Sequence, residues 1–127
     1  MLTMPDSHKA FRHERVGSTL VVSLQGDSLQ TEEAALEREI DTLHKIIEQP
    51  GVKHVCVDIG NKPFFGSIII GAIMALCTKA LAGGGKAVLC DASDGMRDVI
   101  RIMKLDTVLP YYQTRQEALQ SLGERTA

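Results

Sequence analysis

The chain lacks a CxxC pair, a grouping of histidines, a membrane-length apolar run and an excess of either charge. Each absence closes a class of function. Cys56, Cys77 and Cys90 lie in separate apolar segments, where they read as small hydrophobes in a reducing compartment. His8, His13, His44 and His54 are scattered among different segments, whereas a metal site needs its ligands grouped. No metal and no cofactor is expected. With 14 basic against 16 acidic residues the net charge is −2, so nothing in the total favours nucleic acid or an anionic membrane. The cluster from His8 to Arg15 holds two His, two Arg and one Lys around Glu14 and reads as a solvated edge strand. The longest apolar run, residues 68–81, includes Thr78 and Lys79. It falls short of the ~20 residues that span a bilayer and reads as a core helix. No apolar N-terminal stretch resembles a signal peptide, so a cytoplasmic location is the expectation.

What is present is an ordinary globular composition, 44% hydrophobic and 24% charged in 127 residues, enough for one core and one domain spanning 1–127. Residues 9–16 alternate loosely as a first strand, and Gly17-Ser18 turns into a β-branched strand over 19–24. Thr31 caps a predicted helix to about Gln49, with Leu36, Ile40, Leu43 and Ile47 on one face. Pro50-Gly51 stops it, and residues 52–59 form a central strand. A helix follows over 67–81, ended by Gly83-Gly84-Gly85, then a strand over 86–90. Ser93 or Asp94 caps a helix carrying Met96, Val99, Ile100 and Met103 on one face, with the Met96/Met103 pair read as core and Asp91 and Asp94 serving its start. Residues 107–111 read as a short edge strand because of Pro110, and Thr114 caps a last helix to about Leu122. Strands alternating with helices predict an α/β layer structure with right-handed crossovers.

The most informative stretch is Val55-Cys56-Val57-Asp58-Ile59, then Gly60 to Gly66, then Ser67. It reads as a buried strand, a short loop, and a hydroxyl where a helix begins. A serine there lies beside free backbone N–H groups and the positive end of a helix dipole, a place for a cap or for a phosphate. The same stretch carries a family resemblance. Its strand is similar to the Val-Val-Asp-Leu of STAS domains, the fold of bacterial anti-sigma-factor antagonists and stressosome components. Gly26-Asp27-Ser28-Leu29 before the first helix, Gly83-Gly84-Gly85 before Lys86-Ala87-Val88-Leu89, and the helix-then-Leu105-Asp106 pattern over 99–109 follow in the family's order. The resemblance covers about residues 16–122. It implies an α/β fold of four to five strands in a mixed sheet, mostly parallel in the centre, with helices packed mainly on one side.

The resemblance also implies a regulatory protein-interaction module that binds an anti-sigma factor or serine kinase protein and acts in transcription control. It further implies a phosphorylation switch at Ser67, the position that matches the family's target serine. Where the family has aspartate before that serine this chain has Gly66, and Ile68-Ile69-Ile70 replaces Ser-Gly-Leu. Asp27, Ser28, Asp58, Phe64, Phe65, Gly66 and Ile68 are the partner-binding candidates. Each has a plainer reading: Ser67 as a cap alone, worth about 1 kcal/mol against alanine; Asp58 as a solvated strand-end carboxylate; Asp27 and Ser28 as turn formers; one of the two phenylalanines as core. A receiver domain needs a paired acidic site for Mg²⁺, and only Asp27 is in place for it. A hydrolase needs a base, and no histidine ends a central strand. Catalysis is not expected. The alternatives are an unphosphorylated domain binding a small apolar ligand, or a scaffold in a stress-signalling complex, and on any of these readings the protein is expected as a monomer or weak homodimer.

Overall fold

The central strands consist mainly of β-branched and other apolar residues, which suits strands buried on both faces. The computed structural model describes residues 11–24, 33–60 and 67–124. In chain order these form β1 (Phe11–Val16), β2 (Thr19–Leu24), α1 (Glu33–Ile47), β3 (His54–Asp58), α2 (Ser67–Ala82), β4 (Ala87–Cys90), α3 (Asp94–Ile102), β5 (Tyr111–Tyr112) and α4 (Arg115–Ser121). One five-stranded sheet runs in the order β1-β2-β3-β4-β5. β1 pairs antiparallel with β2, and every other pair is parallel. The mixed α/β sheet expected from the sequence is therefore present.

The two faces of the sheet follow from the alternation along each strand. Leu20, Val22, Leu24, Val55, Val57 and Ile59 join Leu36, Leu43 and Ile47 of α1, Ile69, Ile73 and Leu76 of α2, and Met96 and Ile100 of α3 in the main core. Val21, Cys56, Val88 and Cys90 face the other way, onto Ala118 and Leu119 of α4 and Leu122 just beyond it. Among the described residues three helices thus cover one face and one short helix the other. Val55, Cys56 and Val57 have no exposed surface, and fully burying a side chain such as valine stabilises by about 1.5–3 kcal/mol.

The turns are set by local chemistry. Gly85 follows α2 where the chain presses on the residue before β3: an added Cβ would lie 1.7 Å from the Lys53 carbonyl oxygen. The His54 Nδ1 accepts the Lys86 N–H at 2.9 Å and so joins the start of β3 to the residue before β4. Glu124 clasps the β1–β2 turn, its two carboxylate oxygens accepting from the Ser18 N–H at 2.9 Å and the Ser18 hydroxyl at 3.0 Å.

Three expectations are corrected here. Residues 105–107 form a 3-10 turn, and the strand is Tyr111–Tyr112. The Thr107 hydroxyl donates to the Lys104 carbonyl at 2.6 Å, which closes the turn locally instead of extending the chain. Pro110 has no N–H to give a ladder, and only its carbonyl pairs, accepting from Leu89 at 2.9 Å. Met96 is core as expected, but Met103 is 48% exposed because it is the residue that ends α3. Ser93 alone caps α3, its Oγ accepting the Met96 N–H at 3.3 Å. Asp94 is the first helical residue, and Asp91 takes a left-handed conformation at φ 62°. The predicted cap Thr31 lies outside the described residues.

Candidate functional site

Because β2, β3, β4 and β5 are parallel, Leu24, Asp58, Cys90 and Tyr112 all end at the same side of the sheet. Open α/β sheets place their functional groups at that side. Ser67 opens α2 there, and the next residue, Ile68, is 58% exposed. Asp27, Ser28, Phe64, Phe65 and Gly66 lie outside the described residues.

Asp58 is not the solvated carboxylate its strand-end position suggests. It is 7% exposed, on the sheet face covered by α4. Its Oδ1 accepts the Gly60 N–H at 2.9 Å, an Asx-type turn that starts the connection toward Ser67 with Gly60 at φ 71°. Its Oδ2 accepts from the Arg115 Nε at 2.8 Å. The Arg115 guanidinium also donates to the Ser23 hydroxyl at 2.9 Å and forms an ion pair with Glu14. One side chain at the start of α4 therefore ties together β1, β2 and β3. Burial draws the Arg115 pKa down, but Asp58 and Glu14 more than offset this and leave it above its usual value.

Asp91 borders the same cleft of about 460 Å³, together with Arg12, Glu14 and Arg115. Partial burial, then the adjacent Asp58 carboxylate, raises the Asp91 pKa above the ordinary aspartate value, and Arg115 opposes the rise. Beneath this pair the Cys56 and Cys90 sulfurs lie 3.8 Å apart. Contact with Cys56, followed by burial, pushes the Cys90 thiol well above its normal range, and burial pushes Cys77 up to about 12. Protonated, buried thiols are poor nucleophiles. Among the described residues no group of three or more His, Cys, Asp or Glu could hold a metal ion.

Sequence reasoning missed Arg115, although one signal was available. A cation at the first position of a helix opposes the macrodipole, so its place is explained by a partner elsewhere, here Asp58. The β4–α3 turn at the same end is held by Tyr111, whose hydroxyl accepts the Ala92 N–H at 2.9 Å while Arg97 lies 5.0 Å over its ring.

The family model of the STAS domain matches residues 10–118. The chain belongs to the STAS domain family. Among solved structures, an anti-sigma-factor antagonist STAS protein from Planctomyces limnophilus superposes with a TM-score of 0.75 at 24% identity, covering 89% of this chain and 97% of that one. The anti-sigma factor antagonist SpoIIAA in its unphosphorylated form gives 0.71 at 20% identity, covering 92% and 100%. The Bacillus cell fate determinant SpoIIAA in its phosphorylated form gives 0.65 at 22% identity, covering 88% and 98%. At these identities the likeness carries the fold. No curated protein matches the chain. Among the described residues no helix is long and apolar enough to cross a membrane.

Proposed function

We propose that this STAS protein is a cytoplasmic regulatory module that captures an anti-sigma factor or serine kinase protein at the Ser67 end of its sheet, and that phosphorylation of Ser67 switches the capture. The observation that carries this reading is the position of Ser67 as the first residue of α2, beside the exposed Ile68, in a fold shared with an antagonist solved in both phosphorylated and unphosphorylated forms. A phosphate adds roughly −1.5 to −2 charges, and a helix N-terminus accepts them without unfolding. The switch acts by changing the surface offered to the partner, with Phe64, Phe65 and Gly66 shaping it and Asp27 and Ser28 bordering it. We assign the protein no catalysis. The reading of a small apolar ligand is disfavoured: the apolar crevice between Ile70, Met96 and Leu105 holds only about 20 Å³, and the larger groove between α1 and α2 is open to solvent and flanked by Glu37 and Asp41, whereas ordinary ligand pockets enclose several hundred Å³.

The test is affinity capture of tagged protein from its source cells, with mass spectrometry of the bound proteins and of the Ser67 peptide. Recovery of an ATP-binding kinase with a fraction of Ser67 phosphorylated supports the switch. A partner with Ser67 never modified reduces the protein to a constitutive binder. Ser67→Asp should weaken capture while leaving the melting temperature within a few degrees. Loss of folding in that variant would assign Ser67 a structural role instead.

A further inference from the structure

The N-terminal turns of α1 and α2 both lie at the Ser67 end of the sheet, because each helix follows a parallel strand. Between them is an open groove of about 300 Å³ lined by Leu36, Glu37, Ile40, Asp41, Ile68 and Ala72. Its floor is apolar. Leu36 is buried, Ile40 and Ala72 are half-buried, and Ile68 is more exposed than any other described residue of the main core helices α1 and α2 that is large and apolar. Its wall on the α1 side is acidic. Glu37 and Asp41 are both exposed, one helical turn apart, and no salt bridge engages either among the described residues. Like charges at that spacing repel each other. The helix dipole accounts for an acid in the first turns but not for Asp41, which lies beyond its reach.

Among the described residues the opposite wall carries no charge. Gly71, Ala75 and Thr78 continue the exposed side of α2 from Ile68, and a Cβ on Gly71 would meet nothing within 4 Å. A low, neutral wall admits the close approach of a helix backbone, and an acidic wall favours a cationic one.

Resting on the reading of the Ser67 end as a partner site, the geometry points to this groove as the seat of an amphipathic helix of the protein partner. One apolar side chain of that helix packs on Leu36, Ile40, Ile68 and Ala72. A lysine or arginine on the adjoining turn pairs with Glu37 and Asp41. This defines the partner's chemistry as a basic, amphipathic helix, and it places the contact where a phosphate on Ser67 alters it directly.

The test uses two fluorescent peptides of roughly 18 residues, long enough to form a helix when bound, with the same Leu/Ala face and a polar face of either Lys or Glu. Binding is read by anisotropy on the full chain, and its location by backbone NMR shifts. The Lys peptide should bind saturably with the largest shifts at residues 36–41 and 68–72, and the Glu peptide at least tenfold more weakly. The Glu37→Lys/Asp41→Lys variant should lose at least tenfold for the Lys peptide, with an unchanged far-UV melt. Equal binding of the two peptides, indifference to the charge reversal, or shifts centred on the exposed Ile102, Met103 and Val108 would overturn the inference. Groove failure with a Ser67-dependent partner still captured overturns this inference alone. Groove binding with capture indifferent to Ser67→Asp overturns only the reading of the switch.

Discussion

Removing the Arg115 guanidinium while keeping its stem, as in Arg115→Met, isolates the contact that ties α4 to the sheet. The Asp58 side chain is 10% exposed and that of Arg115 37%. A fully buried pair broken on one side costs 3–5 kcal/mol because the remaining charge is stranded. Solvent reaches the Arg115 side, so that figure is an upper bound here. The hydrogen bond to Ser23 adds about 0.5–1 kcal/mol, and the largely exposed Glu14 contributes little. The expected loss is about 2 kcal/mol. At ~2.1 cal/mol/K per residue over 127 residues this lowers the melting temperature by roughly 7 °C. Asp58→Asn keeps an acceptor for the Gly60 N–H but removes the charge. In that background Arg115→Met loses only ordinary hydrogen bonds and the largely exposed pair with Glu14, so a double-mutant cycle by urea denaturation should give a coupling of about 1–2 kcal/mol. A coupling indistinguishable from zero, or a single variant within 0.5 kcal/mol of the parent, would refute the assignment of Arg115 as the tie.

Asp91→Asn should stabilise slightly at neutral pH. The raised Asp91 pKa means that the folded state prefers the protonated form, so ionisation costs stability as pH rises through the folded-state pKa. Asparagine also tolerates the left-handed backbone found there. The gain, followed by urea midpoint, should disappear as pH falls toward 3.8, the ordinary aspartate value. His54 titrates in the opposite sense. Burial, then the Lys53 charge, lowers its pKa, and its Nδ1 must stay unprotonated to accept from Lys86. Its contribution is complete above the unfolded value of 6.5 and is lost as pH falls below it toward the folded pKa. The pH dependence of stability in that window should shrink in His54→Gln. Gly85→Ala should severely destabilise or prevent folding, because the Cβ would meet backbone at 1.7 Å. A melting temperature near that of the parent would show that the turn yields.

The sequence revealed the central elements because their period and their stops are local properties. The β-branched run over 19–24 appears where patterning places it, the central strand expected over 52–59 forms over the shorter His54–Asp58, and the helix opening at Ser67 runs one residue beyond its expected end, to Ala82. The edge of the sheet beyond β4 was misread for a physical reason. The Leu105–Thr107 turn is closed by a threonine hydroxyl and the Lys104 carbonyl, a competition that β-propensity does not register. The burial of Asp58 was also illegible, since it depends on a helix that begins 57 residues later in the chain. Periodicity identifies which residues of α4 face the sheet, but not which strand end its first arginine meets.

The division of the sheet into two faces bears on how a switch at Ser67 can work. Below its first turn α2 is fixed by Ile73, Leu76 and Cys77 in the main core, and its last turns are joined to the end of α1 by the Lys79–Glu48 pair at 2.5 Å. On the opposite face, Asp58 fixes the start of the connection to Ser67 through Gly60, and Arg115 fixes Asp58. Among the described residues, the body of α2 and the end of β3 are thus each fixed by contacts of their own. A phosphate at the first residue of α2 is favoured by the helix dipole. Its principal effect falls on charge at the mouth of the α1–α2 groove, where it adds to Glu37 and Asp41. If a basic helix occupies that groove, a phosphate at its mouth strengthens long-range attraction yet crowds the apolar contact at Ile68. Burial at Ile68 is insensitive to salt while the attraction is screened within about 10 Å at 0.1 M. Release of the partner on phosphorylation therefore requires the steric effect to exceed the electrostatic one, raising the ionic strength should sharpen the switch, and Ser67→Asp, with the charge but little of the bulk, should weaken capture less than the phosphate does.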